Sequence, residues 1–260
     1  MRILITNDDG INAPGLNALK KIANKIADPD GEVWIVAPTS EKSGVGHCIS
    51  LTKPILSSQL GPQKYAVDGN PADCVIAGLH YVMKENPPDL ILSGVNRGNN
   101  SAENALYSGT LGAALEGALQ GIPSIALSQY LGPKNYNIDD PFEASHKYGA
   151  ELIQKILSEN ISSRNNYNTF YNINFPPCPA KDVKGVQVTP QGLRKNNHFT
   201  IELTKTPSMR ELLFVKGGDQ QICAQPGSDA DANLNGYISV TPMIADLTDY
   251  ASLEALKKIE

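Results

Sequence analysis

The chain has 260 residues, of which 41% are hydrophobic and 19% charged, and its formal net charge is -5. This composition is that of an ordinary globular protein with a sizeable core, and the acidic balance argues against a general nucleic-acid binder, which would carry a basic stripe. No apolar run is long enough to cross a bilayer, and no signal peptide precedes the first predicted strand. We therefore expect a cytoplasmic protein with neither a membrane nor a nucleic-acid duplex as a partner.

The four cysteines and four histidines are scattered along the chain without Cys-x-x-Cys or any other paired spacing. This spacing predicts neither a zinc site nor a disulfide framework. We expect the cysteines to be reduced and to serve mostly in packing.

The chain opens with an apolar run at 3–6 that ends in Asn7, Asp8, Asp9 and Gly10. A continuous apolar run is typical of a strand buried on both faces of a parallel sheet, and ligands of such sheets bind at the carboxyl ends of the strands. Asp-Gly is also an ordinary turn dipeptide, and one aspartate is enough to cap a helix. Two adjacent carboxylates repel each other unless a cation is near, so the pair indicates a site for Mg2+ or Mn2+.

Strand-like and helix-like segments then alternate through the first two thirds of the chain. This alternation predicts right-handed β-α-β units in an α/β fold, a three-layer, doubly wound and mainly parallel sheet. The predicted helices are 16–26, 71–83, 109–119 and 141–157, and the predicted strands are 32–38, 89–94, 123–128 and 169–175.

The character of the sequence changes after Pro176 and Pro177. Segments 186–189, 199–203 and 212–215 are rich in β-formers and predict an antiparallel addition, followed by a terminal helix at 252–259. We therefore divide the chain into a catalytic domain at 1–180 and a small arm, a β-hairpin plus a helix, at 181–260. So small an arm has little core of its own, and we expect it to pack on the main domain or on a second subunit.

Two more polar loops follow predicted strands of the same sheet. Ser43 precedes Gly44 and Gly46, whose missing side chains let the backbone approach a ligand, although a mobile surface loop has the same composition. Asn96 offers an amide oxygen, which is a good ligand for a hard cation, but asparagine is also common in Gly-rich turns. Because the ends of parallel strands share an edge, these loops are expected to meet Asp8 and Asp9.

A fourth element, Ser108-Gly109-Thr110, lies just before the predicted helix 109–119. Ser108 is a natural N-cap, and a helix amino terminus with two hydroxyls can bind an anion. A plain N-cap explains the same residues. The segment from Asn70 to Asp73 similarly predicts a cap with proline at the first helical position, and we assign it to structure.

Together these loops resemble the survival protein E family of 5'- and 3'-nucleotidases. The matching stretches cover about half of the chain in the family's order: 5–11 (ITNDDGI), 37–38 (AP) with 41–47 (EKSGVGH), 71–75 (PADCV), 93–98 (SGVNRG), and 107–110 (YSGT) with 116–117 (EG). The set is far more specific than any one of its members.

The resemblance implies a metal-dependent phosphomonoesterase with one Mn2+ or Mg2+ ion per subunit. Its substrates would be nucleoside 5'- and 3'-monophosphates and, in some members, short polyphosphate. Carried over by position, the metal ligands would be Asp8, Asp9, Ser43 and Asn96, and we assign catalysis to Asp8, Asp9 and Asn96. Substrate phosphate would bind Ser43 and the 108–110 segment. The family also implies a Rossmann-like core whose carboxyl-terminal arm is exchanged in a homodimer or homotetramer.

The chain departs from the family pattern at two places. It has Ser101-Ala-Glu-Asn104-Ala-Leu where the family tends to have a Gly-x-Asp stretch, and Gly69-Asn70 where the family usually has Gly-Thr. We expect the first change to alter the rim of the pocket and the substrate preference.

Three questions about the site remain open from the sequence. His47 is a candidate for the acid that protonates the leaving group, or else for a hydrogen bond that orders its loop. A rival enzyme class would use Asp8 as a covalent nucleophile, although such phosphatases usually carry Asp-x-Asp. A nucleotide-binding regulatory module without catalysis has the same kind of fold.

Overall fold

A computed structural model describes residues 1–27, 29–159 and 167–260 of the protein. The strands are β1 (Arg2–Thr6), β2 (Glu32–Pro38), β3 (Ser57–Gly61), β4 (Lys64–Val67), β5 (Leu90–Arg97), β6 (Ser124–Gln129), β7 (Phe170–Phe175), β8 (Val186–Val188), β9 (Thr200–Lys205), β10 (Glu211–Lys216) and β11 (Ile238–Met243). The α-helices are α1 (Pro14–Ile26), α2 (Pro71–Ala77), α3 (Gly109–Leu119), α4 (Glu143–Ser158), α5 (Asp229–Leu234) and α6 (Tyr250–Leu256). A π-helical turn spans Gly78–Val82, and 3-10 turns span Ala102–Leu106, Ala180–Asp182 and Lys257–Ile259.

Nine of the described strands form one sheet, in the order β3-β4-β2-β1-β5-β6-β7-β11-β8. The pairings from β4 through β7 are all parallel, whereas β3 pairs with β4 and β11 pairs with β7 in antiparallel fashion. The predicted three-layer, mainly parallel α/β architecture is therefore confirmed.

Strand β1 lies near the middle of this sheet because its side chains are apolar on both faces. Ile3 and Ile5 pack into the larger core beneath α1 and α4, and Leu4 packs into the core on the opposite face beneath α2. All three side chains are fully buried. Since β2 and β5 flank β1 in parallel, the loops that follow these three strands leave the sheet at the same edge.

The structure corrects the sequence predictions at several elements. The predicted helix 71–83 ends as α2 at Ala77 and continues only as the π-helical turn. Segment 186–189 is not part of an antiparallel addition, because β8 pairs in parallel with β11 inside the main sheet. Strands β3, β4 and β11 and helix α5 were not predicted. Strands β3 and β4 are short: β3 is largely polar and β4 has four residues, and they are defined by the pairing of β4 with β2 and of β3 with β4.

The carboxyl-terminal part of the chain divides between the sheet and the solvent. Strands β8 and β11 belong to the main sheet, whereas β9 and β10 form a separate two-stranded sheet whose residues are all exposed, as are those of α6. The boundary at residue 180 stays a prediction. Among the described residues, no helix is long and apolar enough to span a membrane, and all four cysteines are free.

Candidate active site

The end of β1 forms the floor of a polar cluster. The chain turns at Asn7, whose side-chain amide donates a 2.9 Å hydrogen bond to the carbonyl oxygen of Gly10. Gly10 has φ of +101°, a conformation that favours glycine. The turn leaves Asp8 only 3% exposed and Asp9 half-buried. Two adjacent carboxylates thus stand at the carboxyl edge of the sheet.

The loop after β2 is held at one end against this turn and at the other against the residue before the N-cap of α3. The backbone N–H of Lys42 donates to the carbonyl oxygen of Asp8 at 2.7 Å, and that of Gly46 donates to the carbonyl oxygen of Tyr107 at 2.9 Å. Ser43 lies between these two contacts and is exposed, with its hydroxyl donating to Glu41 at 2.7 Å. The structure therefore brings the Ser43 loop to the site, as predicted.

The end of β5 contacts the second aspartate. The backbone N–H of Arg97 donates a 3.1 Å hydrogen bond to Oδ2 of Asp9. The neighbouring Asn96 is half-buried, and its Nδ2 donates to the carbonyl oxygen of Gly98 at 3.0 Å. Among the described residues, Oδ1 of Asn96 accepts no hydrogen bond, so this oxygen is available to a ligand.

The amino terminus of α3 contacts the first aspartate. The hydroxyl of Thr110 donates a 2.6 Å hydrogen bond to Oδ1 of Asp8. Ser108 is the N-cap, and its Oγ accepts from the backbone N–H of Leu111 at 3.1 Å. Gly109 packs so closely that a Cβ atom there would lie 2.9 Å from Cβ of Asp8. The N-cap interpretation of Ser108 is confirmed, and the 108–110 segment lies directly over the first carboxylate.

Burial disfavours the charged form of both aspartates. Loss of solvent raises the pKa of Asp8 from 3.8 to about 6, against the hydrogen bond from Thr110, and the charge of Asp9 adds to the increase. Burial likewise raises the pKa of Asp9, against the hydrogen bond from Arg97. In the described part of the chain no ion pair neutralises Asp8. A bound cation would supply the missing positive charge.

The available ligands at this place are oxygen atoms of different kinds. No group of three or more His, Cys, Asp and Glu side chains among the described residues could hold a metal ion. A cation at Asp8 and Asp9 therefore needs neutral oxygens as further ligands, which Ser43 and Asn96 can supply. Carboxylate, hydroxyl and amide oxygens suit a hard divalent cation such as Mg2+ or Mn2+, so the residues present fit the expected group.

A partly buried contact, whose partner the sequence did not identify, ties the Ser43 loop to α3. Nε2 of His47 lies 2.7 Å from Oε2 of Glu116, which is 4% exposed, and this hydrogen bond lowers the pKa of Glu116. A Cβ atom on Gly112 would lie 2.3 Å from the carbonyl oxygen of Gly46, so helix and loop pack backbone to backbone. The contact supports the loop-ordering interpretation of His47. The one signal in the sequence was a lone carboxylate in a helix of small and apolar residues.

Arg194 holds together the segment 99–103 after β5, which we call the rim of the site. Its side chain is fully buried and donates to Oδ1 of Asn99, to the carbonyl and hydroxyl oxygens of Ser101, and to Glu103, all between 3.0 and 3.2 Å. Asp229 holds the same rim through the backbone N–H of Ala102 at 3.0 Å. The sequence alone singled out neither Arg194 nor Asp229, because nothing local marks a partner more than 90 residues away.

The predicted capping residues at the start of α2 are confirmed as structural. Asn70 and Asp73 form a capping box, in which each side chain bonds to the backbone of the other residue. Asp73 also accepts from the backbone N–H and the hydroxyl of Ser50 at 2.9 and 2.8 Å. This aspartate therefore serves to fix the start of α2 against the chain beyond the Ser43 loop.

Comparison with known proteins identifies the family. The sequence profile of the family described as Survival protein SurE matches residues 3–198, well over half of the chain. The chain belongs to the SurE family. Every site residue predicted above lies within the matched range, whereas the β9–β10 hairpin, α5, β11 and α6 lie beyond it.

Relatives resemble the chain over its full length. The 5'-nucleotidase SurE of Ruegeria sp. is 61% identical over 260 residues, which is 100% of both chains. The 5'-nucleotidase SurE of Roseobacter denitrificans is 58% identical over 259 residues, which is 100% of this chain and 99% of the relative. The crystal structure of the SurE protein from Aquifex aeolicus is 37% identical, with a TM-score of 0.82 over 100% of this chain and 99% of that one.

Proposed function

We propose that this SurE-family protein is a divalent-metal-dependent phosphomonoesterase that hydrolyses nucleoside 5'- and 3'-monophosphates to nucleoside and phosphate. Nucleotidase activity follows from full-length relatives named 5'-nucleotidase SurE. The observation that carries the metal-dependent mechanism is the meeting of a buried and a half-buried carboxylate with a helix amino terminus, through the hydrogen bond from Thr110 to Asp8. Short polyphosphate, a chain of the same phosphate groups, is a further expected substrate.

The cation would be held by Asp8, Asp9, Ser43 and Asn96. A bound Mn2+ or Mg2+ ion neutralises charge on the transferring phosphoryl group and lowers the pKa of a bound water. The Ser43 hydroxyl donates to Glu41, which leaves the lone pairs of its oxygen for the ion. Asn96 can keep its donor bond to Gly98, since its free Oδ1 is the ligand atom.

The amino terminus of α3 would bind the other phosphate oxygens. The first N–H groups of a helix have no acceptor within the helix, so that of Gly109 is available to an anion, whereas that of Leu111 is taken by Ser108. Both the hydroxyl and the backbone N–H of Thr110 act on the Asp8 carboxylate, so Thr110 would contact phosphate by sharing these donors with Asp8. An aspartate oxygen not bound to the cation would accept the proton of the attacking water.

The decisive assay measures phosphate release from a panel of 5'- and 3'-nucleotides with Mn2+, with Mg2+ and with EDTA. We expect release with metal, none in EDTA, and a loss of at least 100-fold in Asp9→Asn, because oriented electrostatic groups supply effects of this size. Asp139→Asn is a matched control, because Asp139 and Asp140 form another adjacent pair and Asp139 is exposed.

The alternatives give different results in the same experiment. Undiminished release in EDTA or in Asp9→Asn contradicts the metal mechanism. Trapping of a phospho-aspartate at Asp8 with excess substrate supports the covalent mechanism instead. Nucleotide binding without metal-dependent release supports a regulatory module.

We further propose that the arm joins subunits into a homodimer or homotetramer. The β9–β10 hairpin exposes apolar side chains along both strands, including Ile201, Leu213 and Phe214, and α6 adds Leu253 and Leu256. Large exposed apolar surfaces of this kind mark interaction sites. Sedimentation velocity of the full chain and of Leu213→Asp tests this, and a monomeric parent protein contradicts it.

A further inference from the structure

A small cavity of about 140 Å3 adjoins the amino terminus of α3. Three segments line it: the 3-10 turn after β5, the chain before β9 and the chain after β10. The residues used below are Asn104, Tyr107, Asn197, Phe199, Gly218 and Gln220. None of them belongs to the metal and phosphate site described above.

One wall of the cavity is aromatic. The rings of Tyr107 and Phe199 meet edge to face, with centroids 5.0 Å apart and planes at 83°. Tyr107 is 46% exposed and Phe199 is 51% exposed, so both rings retain surface that a planar ligand can cover. Aromatic side chains of this kind stack with nucleobases of any type, since every base has a π face.

The opposite wall is made of amides that bond to one another. Nδ2 of Asn104 donates to Oε1 of Gln220 at 2.6 Å, and Nε2 of Gln220 donates to the carbonyl oxygen of Gly218 at 3.0 Å. Nδ2 of Asn197 donates to Glu103 at 2.9 Å. Each amide nitrogen carries two hydrogens and the bonds of Asn197 and Gln220 use one each, so this wall can also donate to the polar edge of a base.

The cavity lies where the organic part of a bound nucleotide would extend. Tyr107 directly precedes Ser108, so its Cα is about 3.8 Å from that of the N-cap residue. Its carbonyl oxygen accepts the N–H of Gly46, which fixes Tyr107 between the Ser43 loop and α3. A phosphate bound at Gly109 and Thr110 therefore leaves a ribose to bridge to the aromatic wall.

We infer that this cavity is a nucleobase subsite, in which Tyr107 and Phe199 contact the base of a nucleoside monophosphate, one ring stacking on its face and the other meeting its edge. The inference rests on the proposed phosphatase function and adds the moiety that the enzyme recognises. It also gives a role to the sequence that departs from the family pattern, because Glu103 and Asn104 build the polar wall. Glu103 is a positioning residue here, since it holds Arg194 and Asn197.

The test compares nucleotides with a substrate that lacks a base. With Mn2+ present, kcat/KM is measured for adenosine 5'-monophosphate, uridine 5'-monophosphate and ribose 5-phosphate, and the ratio of nucleotide to ribose phosphate is taken. In Phe199→Leu and Tyr107→Leu we expect this ratio to fall about ten-fold, through KM, because a stacking ring has been lost.

A matched control and a binding measurement keep the outcome clear. Tyr136→Leu removes an aromatic ring that is 57% exposed and lies outside the cavity, so its ratio should equal that of the parent. An unchanged ratio in both subsite variants, or equal losses on all three substrates, overturns the subsite. If no phosphoester is cleaved at all, the proposed function fails instead. Calorimetry with adenosine 5'-monophosphate then tests the subsite alone, and equal affinity in parent and Phe199→Leu overturns it.

Discussion

Thr110 and Asp8 are joined by a 2.6 Å hydrogen bond from Oγ1 to Oδ1, although 102 residues separate them in the chain. The bond links the end of β1 to the first turn of α3. Asp8 is otherwise almost enclosed, at 3% exposed, and no other side chain in the described part of the protein donates to it. Thr110 therefore sets the orientation of a carboxylate that we assign to the cation, and the same turn of helix is assigned to the phosphate.

Removing the Thr110 hydroxyl should weaken both cation binding by Asp8 and catalysis. In Thr110→Val the shape of the side chain is kept, but a hydrogen bond to a charged group, worth about 1.5–3 kcal/mol, is lost. We expect kcat/KM for a nucleoside monophosphate to fall by roughly 10- to 100-fold and Mn2+ affinity to fall with it, as measured by phosphate release and by calorimetry. Thr110→Ser keeps the hydroxyl and should stay close to the parent; parental activity in Thr110→Val would show that the bond does not position Asp8.

The ionised carboxylate of Asp8 should lower the free energy of unfolding when no metal is bound. Burial raises its pKa from 3.8 to about 6, so the folded state binds the proton more tightly than the unfolded state does. Stability from this group is present below pH 4 and is lost as the pH rises through about 6, a loss of roughly 3 kcal/mol at 1.36 kcal/mol per pKa unit. In EDTA at pH 7.5 we expect Asp8→Asn to unfold at the same denaturant concentration as the parent or at a higher one.

With metal bound, the parent should become more stable than Asp8→Asn. We expect Mn2+ to bind the folded parent and to raise its melting temperature, whereas Asp8→Asn should gain little. Thermal unfolding with and without the ion measures both effects. A clear destabilisation of Asp8→Asn in EDTA would mean that the ionised carboxylate supports the fold by itself.

The contribution of Glu116 to stability should show the opposite dependence on pH. Its hydrogen bond with His47 lowers its pKa below the ordinary value of 4.5, so the folded state releases the proton more readily than the unfolded state. This stability is present above pH 4.5 and is lost as the pH falls through the lowered pKa. The free energy of unfolding of Glu116→Gln should therefore decrease less between pH 6 and pH 3 than that of the parent. Glu85→Gln, at an exposed residue, is the control, and equal slopes for parent and Glu116→Gln contradict the prediction.

Arg194 should be required for a stable rim. Removing one partner of a buried charged pair costs about 3–5 kcal/mol, because the other partner is left without a counter-charge. We expect Arg194→Met to lose about this much in urea unfolding, since Glu103, Asn99 and Ser101 all lose a donor. Arg210→Met, at an exposed arginine in the β9–β10 hairpin, should change stability by less than about 0.5 kcal/mol. A loss of similar size in both variants would contradict a special role for Arg194.

The strands and helices that the sequence predicted correctly are those whose burial pattern is local. β2 and α3 have the predicted bounds, because an apolar run or a helical stripe is visible within ten residues. β3 and β4 were missed because their residues are partly exposed and their pairing with β2 defines them. The placement of segment 186–189 in an antiparallel addition was wrong for a similar reason. The neighbour of β8 is β11, which lies about 50 residues further along the chain.

The candidate site likewise contains residues that the sequence could predict and residues that it could not. Asp8, Asp9, Ser43, Asn96 and the 108–110 segment could be named because each follows a strand or starts a helix, and parallel strands end at one edge. Their roles as ligands stay predictions. The pairs that hold them in place could not be predicted: His47 was named for a loop-ordering hydrogen bond, but its partner Glu116 was not, and neither was the pair of Arg194 with Glu103. The members of each pair are ordinary polar residues far apart in the chain.

The sequence by itself determined which chemical groups this protein brings to the carboxyl edge of its sheet, since hydrophobic periodicity sets the strands and the strands end in polar loops. Only the tertiary structure decided how those groups are aimed: Thr110 onto Asp8, Arg97 onto Asp9, and Arg194 into the rim beside Tyr107. The physical reason is that a buried polar side chain needs a partner, and the partner is chosen by packing in space rather than by its distance along the chain.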